Sequence, residues 1–244
     1  MILSFFVAFI PTMHTSYKII ITNDNAPTLQ HPITLETYHS MNGAMIEAQH
    51  VYYDAGTAWH LAQSPKPLLH LLEVGFGTGL NAMLTLSQLT QLGVRCHYVA
   101  LEPFPIAMDC IADYSSQLTA AYPNISKTLL TQLHSTDLEI PIPEGHKLSK
   151  HRVLLENFHP SQTFDVIYMD AFSPSTQPEL WEPEILQNLA AMLAPGGHLV
   201  TYCAKGSVRR GFAAAGLEIE RLQGPPGKRE MLRARKPFLF SEGL

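Results

Sequence analysis

The sequence predicts an α/β chain, a Rossmann-like doubly wound sheet behind a small N-terminal appendage. Three observations carry that expectation. An apolar run, Leu68-Leu69-His70-Leu71-Leu72-Glu73-Val74, breaks into Gly75-Phe76-Gly77-Thr78-Gly79 and then a helix-like stretch over 80–92. Strand, glycine turn and helix form the first unit of a sheet whose ligands sit at the carboxyl ends of its strands. A second apolar run, Cys96 to Leu101, ends in Glu102, and a third, Phe164 to Met169, ends in Asp170. Both carboxylates are thereby expected at the crevice that holds the glycine turn.

Taken in order, residues 1–12 are apolar but too short to cross a bilayer. They lack a basic leader and a small-residue cleavage site, so no signal peptide is expected. We read 1–16 as an extension outside the fold. Residues 17–66 form the appendage, with a strand near 17–22. Strand-like pieces flank the turn signal Asn42-Gly43, and Glu47 lies on the second of them. The main domain spans 67–240. After Glu102, apolar positions Ile106, Ala107, Cys110, Ile111, Tyr114 and Leu118 predict a helix over 105–122. Pro141 and Pro143 interrupt the next segment, and Val153-Leu154-Leu155 reads as a strand end. Following Asp170, a proline-containing loop leads into a helix over 179–193. Strands near 199–203, 217–222 and 230–235, with a helix over 206–215, complete the domain.

The chemistry starts at the glycines. Their spacing is G-x-G-x-G, with Leu80 where a dinucleotide fingerprint needs its third glycine. Gly75, Gly77 and Gly79 still let the backbone meet a ligand closely. With Glu73 before them and Glu102 23 positions after Gly79, near the ~20 of nucleotide-binding folds, the stretch resembles motifs I and II of class I S-adenosylmethionine methyltransferases. In that resemblance Glu102 accepts the ribose hydroxyls and Glu73 favours the cationic amino-acid end of S-adenosyl-L-methionine, with Asn81 beside them. Asp170 is suited to orient an amine nucleophile; its other reading is a helix cap or an Asx turn.

Composition narrows the partners. The net charge of −5 hides a split: nine of the 16 Lys/Arg fall between Lys205 and Lys236 against three glutamates, so that segment is +6 and the rest −11. An anionic partner on one side accounts for this, as does a solvated basic face. Three scattered cysteines without a C-x-x-C indicate neither disulfides nor structural zinc, and the 12 histidines form no ligand spacing, so no metal is expected. A reducing cytoplasm fits that usage.

Longer motifs make the resemblance specific. L-E-V-G-F-G-T-G-L-N, M-D-A-F-S-P, A-K-G-S-V-R-R-G and G-P-P-G-K-R-E-M, with His39 to Val51, resemble the methyltransferase domain of MnmC-type proteins over about 17–236. That family makes 5-methylaminomethyl-2-thiouridine at the tRNA wobble position. The resemblance implies a class I fold with a seven-stranded mixed sheet, S-adenosyl-L-methionine as cofactor, tRNA as partner and methyl transfer to the amine of an aminomethyluridine. Asp170 becomes the catalytic carboxylate. Lys205, Arg209, Arg210, Lys228 and Arg229 become phosphate contacts, and Trp181 either stacks on the wobble base or anchors a helix start. The family's bifunctional members continue into a flavin oxidoreductase domain that we do not find before Leu244, so a separate FAD-dependent oxidoreductase upstream is expected. The chain is short at 154–158, where relatives carry an acidic residue near the adenine, so Glu156 or Asn157 has to take that place. Two other readings stay open: an aminopropyltransferase-like small-amine transferase and a catalytically silent tRNA-binding module.

Overall fold

The computed structural model describes residues 17–135 and 137–238. The extension expected over 1–16 lies outside the described residues. Lys18–Ile21 (β1) and Pro27–Gln30 (β2) pair antiparallel as a separate two-stranded sheet. The segment after Asn42-Gly43 is a helix, where the sequence suggests a strand. Ala44–Glu47, a π-helical run Ala48–Ala58 and Trp59–Gln63 succeed one another and are together called α1. Ala44, Ala48, Val51 and Tyr52 are buried at helical spacing. Gly56 lets α1 lie on the main sheet, because a Cβ there would stand 2.9 Å from the Tyr168 ring and 3.1 Å from Val200.

The main sheet has eight strands in the order β5-β6-β4-β3-β7-β8-β10-β9. They are Leu68–Val74 (β3), Arg95–Leu101 (β4), Glu139–Ile142 (β5), His146–His151 (β6), Phe164–Met169 (β7), Leu193–Thr201 (β8), Glu218–Gln223 (β9) and Glu230–Arg235 (β10). β6, β4, β3, β7 and β8 run parallel, while β5, β10 and β9 attach antiparallel. The eighth strand is β5, which runs through Pro141 in the segment that the sequence reads as interrupted. It is an edge strand, where a missing N–H costs no ladder bond. The strand expected to end at 153–155 stops earlier: β6 ends at His151, and Leu155–Asn157 is a short 3-10 turn.

Leu80–Leu92 (α2), Met108–Ala121 (α3), Lys127–Leu133 (α4), Pro183–Met192 (α5) and Gly206–Ala214 (α6) cover the sheet. Pro183 divides the helix expected over 179–193, leaving a 3-10 turn at Pro178–Trp181 before α5. β3 shows why both faces are apolar: Leu69 and Leu71 enter the core under α1 and α2, Leu72 and Val74 the core under α5 and α6. Strand order reverses at β3, with β4 on one side and β7 on the other. A crevice at the carboxyl ends of these strands is the ligand position of an open α/β sheet. Among the described residues no helix is long and apolar enough to cross a membrane.

Candidate active site

The loop leaving β3 is shaped by what it must pass. Gly75 has φ +90, and a Cβ there would stand 2.4 Å from the Asp170 carbonyl oxygen; Gly77 has φ +50 and lies under the Tyr38 ring. Both the left-handed backbone and the close approach require glycine. Gly79, at the start of α2, completes the turn. The Gly77 N–H donates to Glu102 Oε2 at 2.9 Å, and the Phe104 N–H donates to Oε1 at 3.0 Å. The carboxyl after β4 is thus locked to the glycine loop, and burial raises its pKa despite those two donors.

At the end of β7, Asp170 receives two side-chain donors. The Tyr52 hydroxyl lies 2.5 Å from Oδ1 and Asn81 Nδ2 lies 2.7 Å from Oδ2. Burial, then the negative charge of Glu47, push the Asp170 carboxyl up to about 7, while the two donors and Lys228 pull it back. Asn81 Nδ2 also donates to Glu73 Oε1 at 2.9 Å, and the Tyr98 hydroxyl donates to Oε2 at 2.8 Å. Glu73 is completely buried, and burial followed by the nearby Asp170 charge raises its pKa well above the carboxylate range. Both Glu73 oxygens are thus engaged within the protein, and Asn81 Nδ2 links Glu73 to Asp170.

The structure unites Gly75, Gly77, Gly79, Asn81, Glu102 and Asp170 at one end of the sheet, and it adds residues that sequence reasoning missed. Tyr38 covers Gly77, and Tyr52 holds Asp170. Glu47, buried on α1, accepts from Lys228 Nζ at 2.7 Å, and that ammonium sits 3.7 Å from the centre of the Tyr202 ring. From the sequence Glu47 is only a member of the appendage.

Comparison with known proteins shows the family. Residues 111–237, just over half of the chain, match a family described as S-adenosyl-L-methionine-dependent methyltransferase. The chain belongs to that family. Among its relatives, the tRNA 5-methylaminomethyl-2-thiouridine biosynthesis bifunctional protein MnmC of Cupriavidus necator is 30% identical over 210 residues, 80% of this chain and 31% of that protein. The protein of the same name from Aromatoleum aromaticum is 32% identical over 216 residues, 82% of this chain and 32% of its own length. The chain thus spans about a third of the curated relatives it matches. The crystal structure of MnmC2 from Aquifex aeolicus shares the fold, with a TM-score of 0.72 at 20% identity, covering 92% of this chain and 73% of that one. The doubly wound architecture expected from the sequence is that of a class I methyltransferase, with eight strands in place of the expected seven.

As a member of this methyltransferase family the chain uses S-adenosyl-L-methionine, and its residues fit that cofactor. A cleft between the carboxyl ends of β4 and β6 is lined by Phe76, Gly77, Glu102, Ile106, His134 and Arg152. It offers a glycine backbone, a carboxyl for hydroxyl groups and apolar side chains for a ring. Nearby, Asn81 Oδ1 is buried without a hydrogen-bond partner, an acceptor left for a donor from outside the protein. His151 and Arg152, and not Glu156 or Asn157, line the wall of this cleft; both of the latter are exposed on their turn.

Eight of the nine basic residues between Lys205 and Lys236 separate into two groups, and Lys236 donates to the Ala191 and Leu193 carbonyls. Arg221, Lys228, Arg233 and Arg235 are paired with Glu230, Glu47, Glu220 and Glu218. Lys205, Arg210 and Arg229 are exposed, Arg209 is half-buried, and none of these four has an acidic partner among the described residues. Lys228 therefore departs from the phosphate-contact group: a lysine already held by a buried carboxylate and an aromatic face is not a free surface charge. Of the two readings of Trp181, the geometry matches the anchor. The residue is only 7% exposed, and its indole N–H donates to the Phe172 carbonyl at 2.9 Å, so it anchors the loop after Asp170 in the core instead of presenting a stacking face.

Proposed function

We propose that this methyltransferase transfers a methyl group to the primary amine of 5-aminomethyl-(2-thio)uridine at the wobble position of tRNA, giving 5-methylaminomethyl-(2-thio)uridine. The observation that carries the reading is the Asp170 carboxyl, held by Tyr52 and Asn81 beside the glycine loop with its pKa raised to about 7. The names of the MnmC relatives supply the acceptor class.

S-adenosyl-L-methionine supplies an electrophilic methyl on a sulfonium. The glycine loop, Asn81 and Glu102 would hold it, and Asp170 would face the acceptor. A lysine-like amine has a pKa of about 10.4 and arrives mostly protonated, without a free lone pair. The ammonium would first release a proton to solvent. An ionised Asp170 would then accept a hydrogen bond from the neutral amine, leaving its lone pair free to attack. It would take the proton that the nitrogen sheds once the N–C bond has formed and the methyl–sulfur bond has broken, giving a secondary amine and S-adenosylhomocysteine. A carboxyl titrating near 7 serves that purpose better than an ordinary aspartate, because its conjugate base holds the proton more strongly. An FAD-dependent oxidoreductase acting upstream would release the amine by removing a carboxymethyl group. Lys205, Arg209, Arg210 and Arg229 would meet tRNA phosphates.

The test is incubation with methyl-labelled S-adenosyl-L-methionine and two tRNA pools, one carrying the bare aminomethyl group and one the carboxymethylaminomethyl form. Label is expected in the first pool only, on the wobble nucleoside. Label in neither pool with cofactor binding intact would transfer the activity to another amine, such as a polyamine. Absent cofactor binding would make the chain a silent tRNA-binding module, and label on a ring carbon would refute the amine chemistry.

A further inference from the structure

Lys228 begins the stretch leading into β10, just after the turn Gly224-Pro225-Pro226-Gly227. Its ammonium lies 2.7 Å from Glu47 Oε1 and 3.7 Å from the Tyr202 ring centre. Glu47 is fixed from the other side, since the Ser40 N–H donates to its Oε2 at 2.8 Å. Both partners of this pair connect to Asp170. Glu47 and Tyr52 stand five residues apart across the start of the π-helical run, and Tyr52 donates to Asp170. Tyr202 donates to the carbonyl of Ala171, the residue after Asp170, at 2.9 Å.

We infer that Glu47 and Lys228 form a charge-balancing pair for the acceptor pocket, with Lys228 a positioning residue that acts through Asp170 and not a phosphate contact. The inference rests on the reading of the acceptor as an amine. Two carboxylates facing an amine would stabilise its ammonium form and withdraw the lone pair. With Lys228 present, the three groups sum to one negative charge instead of two. Glu47 matters equally, because a lysine free to reach Asp170 would neutralise the carboxylate that must take the proton. Held over Tyr202, the ammonium influences Asp170 from the side.

Other titratable groups surround the pair, the carboxylates of Asp24 and Glu36 among them. His39, on the segment before α1, is kept neutral by burial, with its pKa lowered to about 4. Burial also raises the phenols of Tyr52 and Tyr202 out of the physiological range, and Glu73 lies raised beneath Asn81. Asp24 faces His39, and Glu36 faces Tyr202 from the appendage.

The experiment uses the full chain labelled with 13Cγ-aspartate, the Asp170 resonance being identified by its loss in Asp170→Asn. Lys228→Met should raise the Asp170 midpoint by on the order of one pH unit, since it leaves Glu47 uncompensated. Glu47→Gln should lower it by a similar amount. The double variant and Lys228→Arg should both return close to the parent. The acidic limb of methyl transfer to aminomethyl-tRNA should move in the same directions. Midpoints that coincide in all five proteins overturn the inference, as does a fall of about 0.7–0.9 in the salt slope of tRNA binding for Lys228→Met, which marks a phosphate contact. The carboxyl titration needs no substrate, so a parent protein that labels no tRNA would refute the proposed acceptor while the titration still decides the role of the pair.

Discussion

Tyr52 reaches Asp170 across 118 residues of sequence, its hydroxyl 2.5 Å from Oδ1. The phenol is completely enclosed, and burial raises its pKa well above that of a free tyrosine, so it is a fixed donor at any working pH. Tyr52→Phe removes a hydrogen bond to a charged group, worth about 1.5–3 kcal/mol. Turnover should fall roughly 10- to 100-fold. Because the donor lowers the Asp170 pKa, the acidic limb of the rate profile should also move to higher pH. Cofactor affinity, measured by calorimetry, should stay unchanged; an equal loss in both would place Tyr52 in cofactor binding instead.

Asp170→Asn should cost about 10²–10⁴-fold in turnover with little change in cofactor affinity. The same variant has a stability signature. The carboxyl is raised from 3.8 to about 7 in the folded protein. Between those values the native state holds a proton that the unfolded chain has released, so this group's contribution to stability falls as pH rises through that window. The cost is absent below about pH 4 and complete above about pH 7. Asparagine carries no charge to bury. Asp170→Asn should therefore melt at a higher temperature than the parent at pH 8 and converge with it toward pH 4; the reverse order at pH 8 would contradict the raised carboxyl.

How much of this is visible in the sequence depends on whether a feature is local. β3, β4 and β7 are continuous apolar runs ending at a glycine or a carboxylate, because strands buried on both faces need no polar alternation. Gly75, Gly77, Glu102 and Asp170 can therefore be placed from spacing alone. α1 cannot. Asn42-Gly43 has the chemistry of a hairpin turn, and only packing of Gly56 against Tyr168 and Val200 shows why a helix lies there. The π-helical run puts Glu47, Tyr52 and Thr57, five apart and all buried, in turn on Lys228, Asp170 and Tyr168. β5 is hidden by Pro141, whose missing N–H disqualifies a central strand but not an edge. The pairing of Lys228 with Glu47 is invisible in the sequence because charge along a chain does not reveal which cations are already paired.

Gly77→Val should abolish S-adenosyl-L-methionine binding, since a branched side chain would occupy the backbone surface that faces the cleft. The structure adds a second cost. At φ +50 a Cβ at this position would stand 2.9 Å from a Tyr38 ring carbon. The left-handed conformation alone costs a non-glycine residue about 1–2 kcal/mol. Reduced melting temperature with retained circular dichroism is expected, together with lost calorimetric binding; unchanged affinity would remove the glycine loop from the site.

Trp181→Phe separates an anchor from a stacking residue. Removing the indole N–H leaves the half-buried Phe172 carbonyl without that donor, and a net hydrogen bond is worth about 0.5–1.5 kcal/mol. Early melting with unchanged tRNA affinity is the expected result. A loss of tRNA affinity at constant stability would return the ring to the nucleic-acid surface.

The last prediction concerns Lys205, Arg209, Arg210 and Arg229, which have no acidic partner among the described residues. Lys205 precedes α6, Arg209 and Arg210 lie on its first turns, and Arg229 comes after the turn between β9 and β10. The remaining cations of the basic segment are engaged internally: Arg233, stacked 3.7 Å from the Trp59 ring centre, pairs with Glu220 at 2.8 Å, and Lys236 donates to the Leu193 carbonyl at 2.7 Å. If tRNA binds here, affinity should fall linearly on a log–log plot against salt concentration. Neutralising one of the four should reduce that slope by about 0.7–0.9. Arg221→Gln and Arg235→Gln serve as controls, because those side chains already face glutamates and should leave the slope where it was. Slopes that change equally for the paired and the unpaired arginines would mean that net charge alone, and not a surface formed by α6 and the start of β10, recruits the nucleic acid.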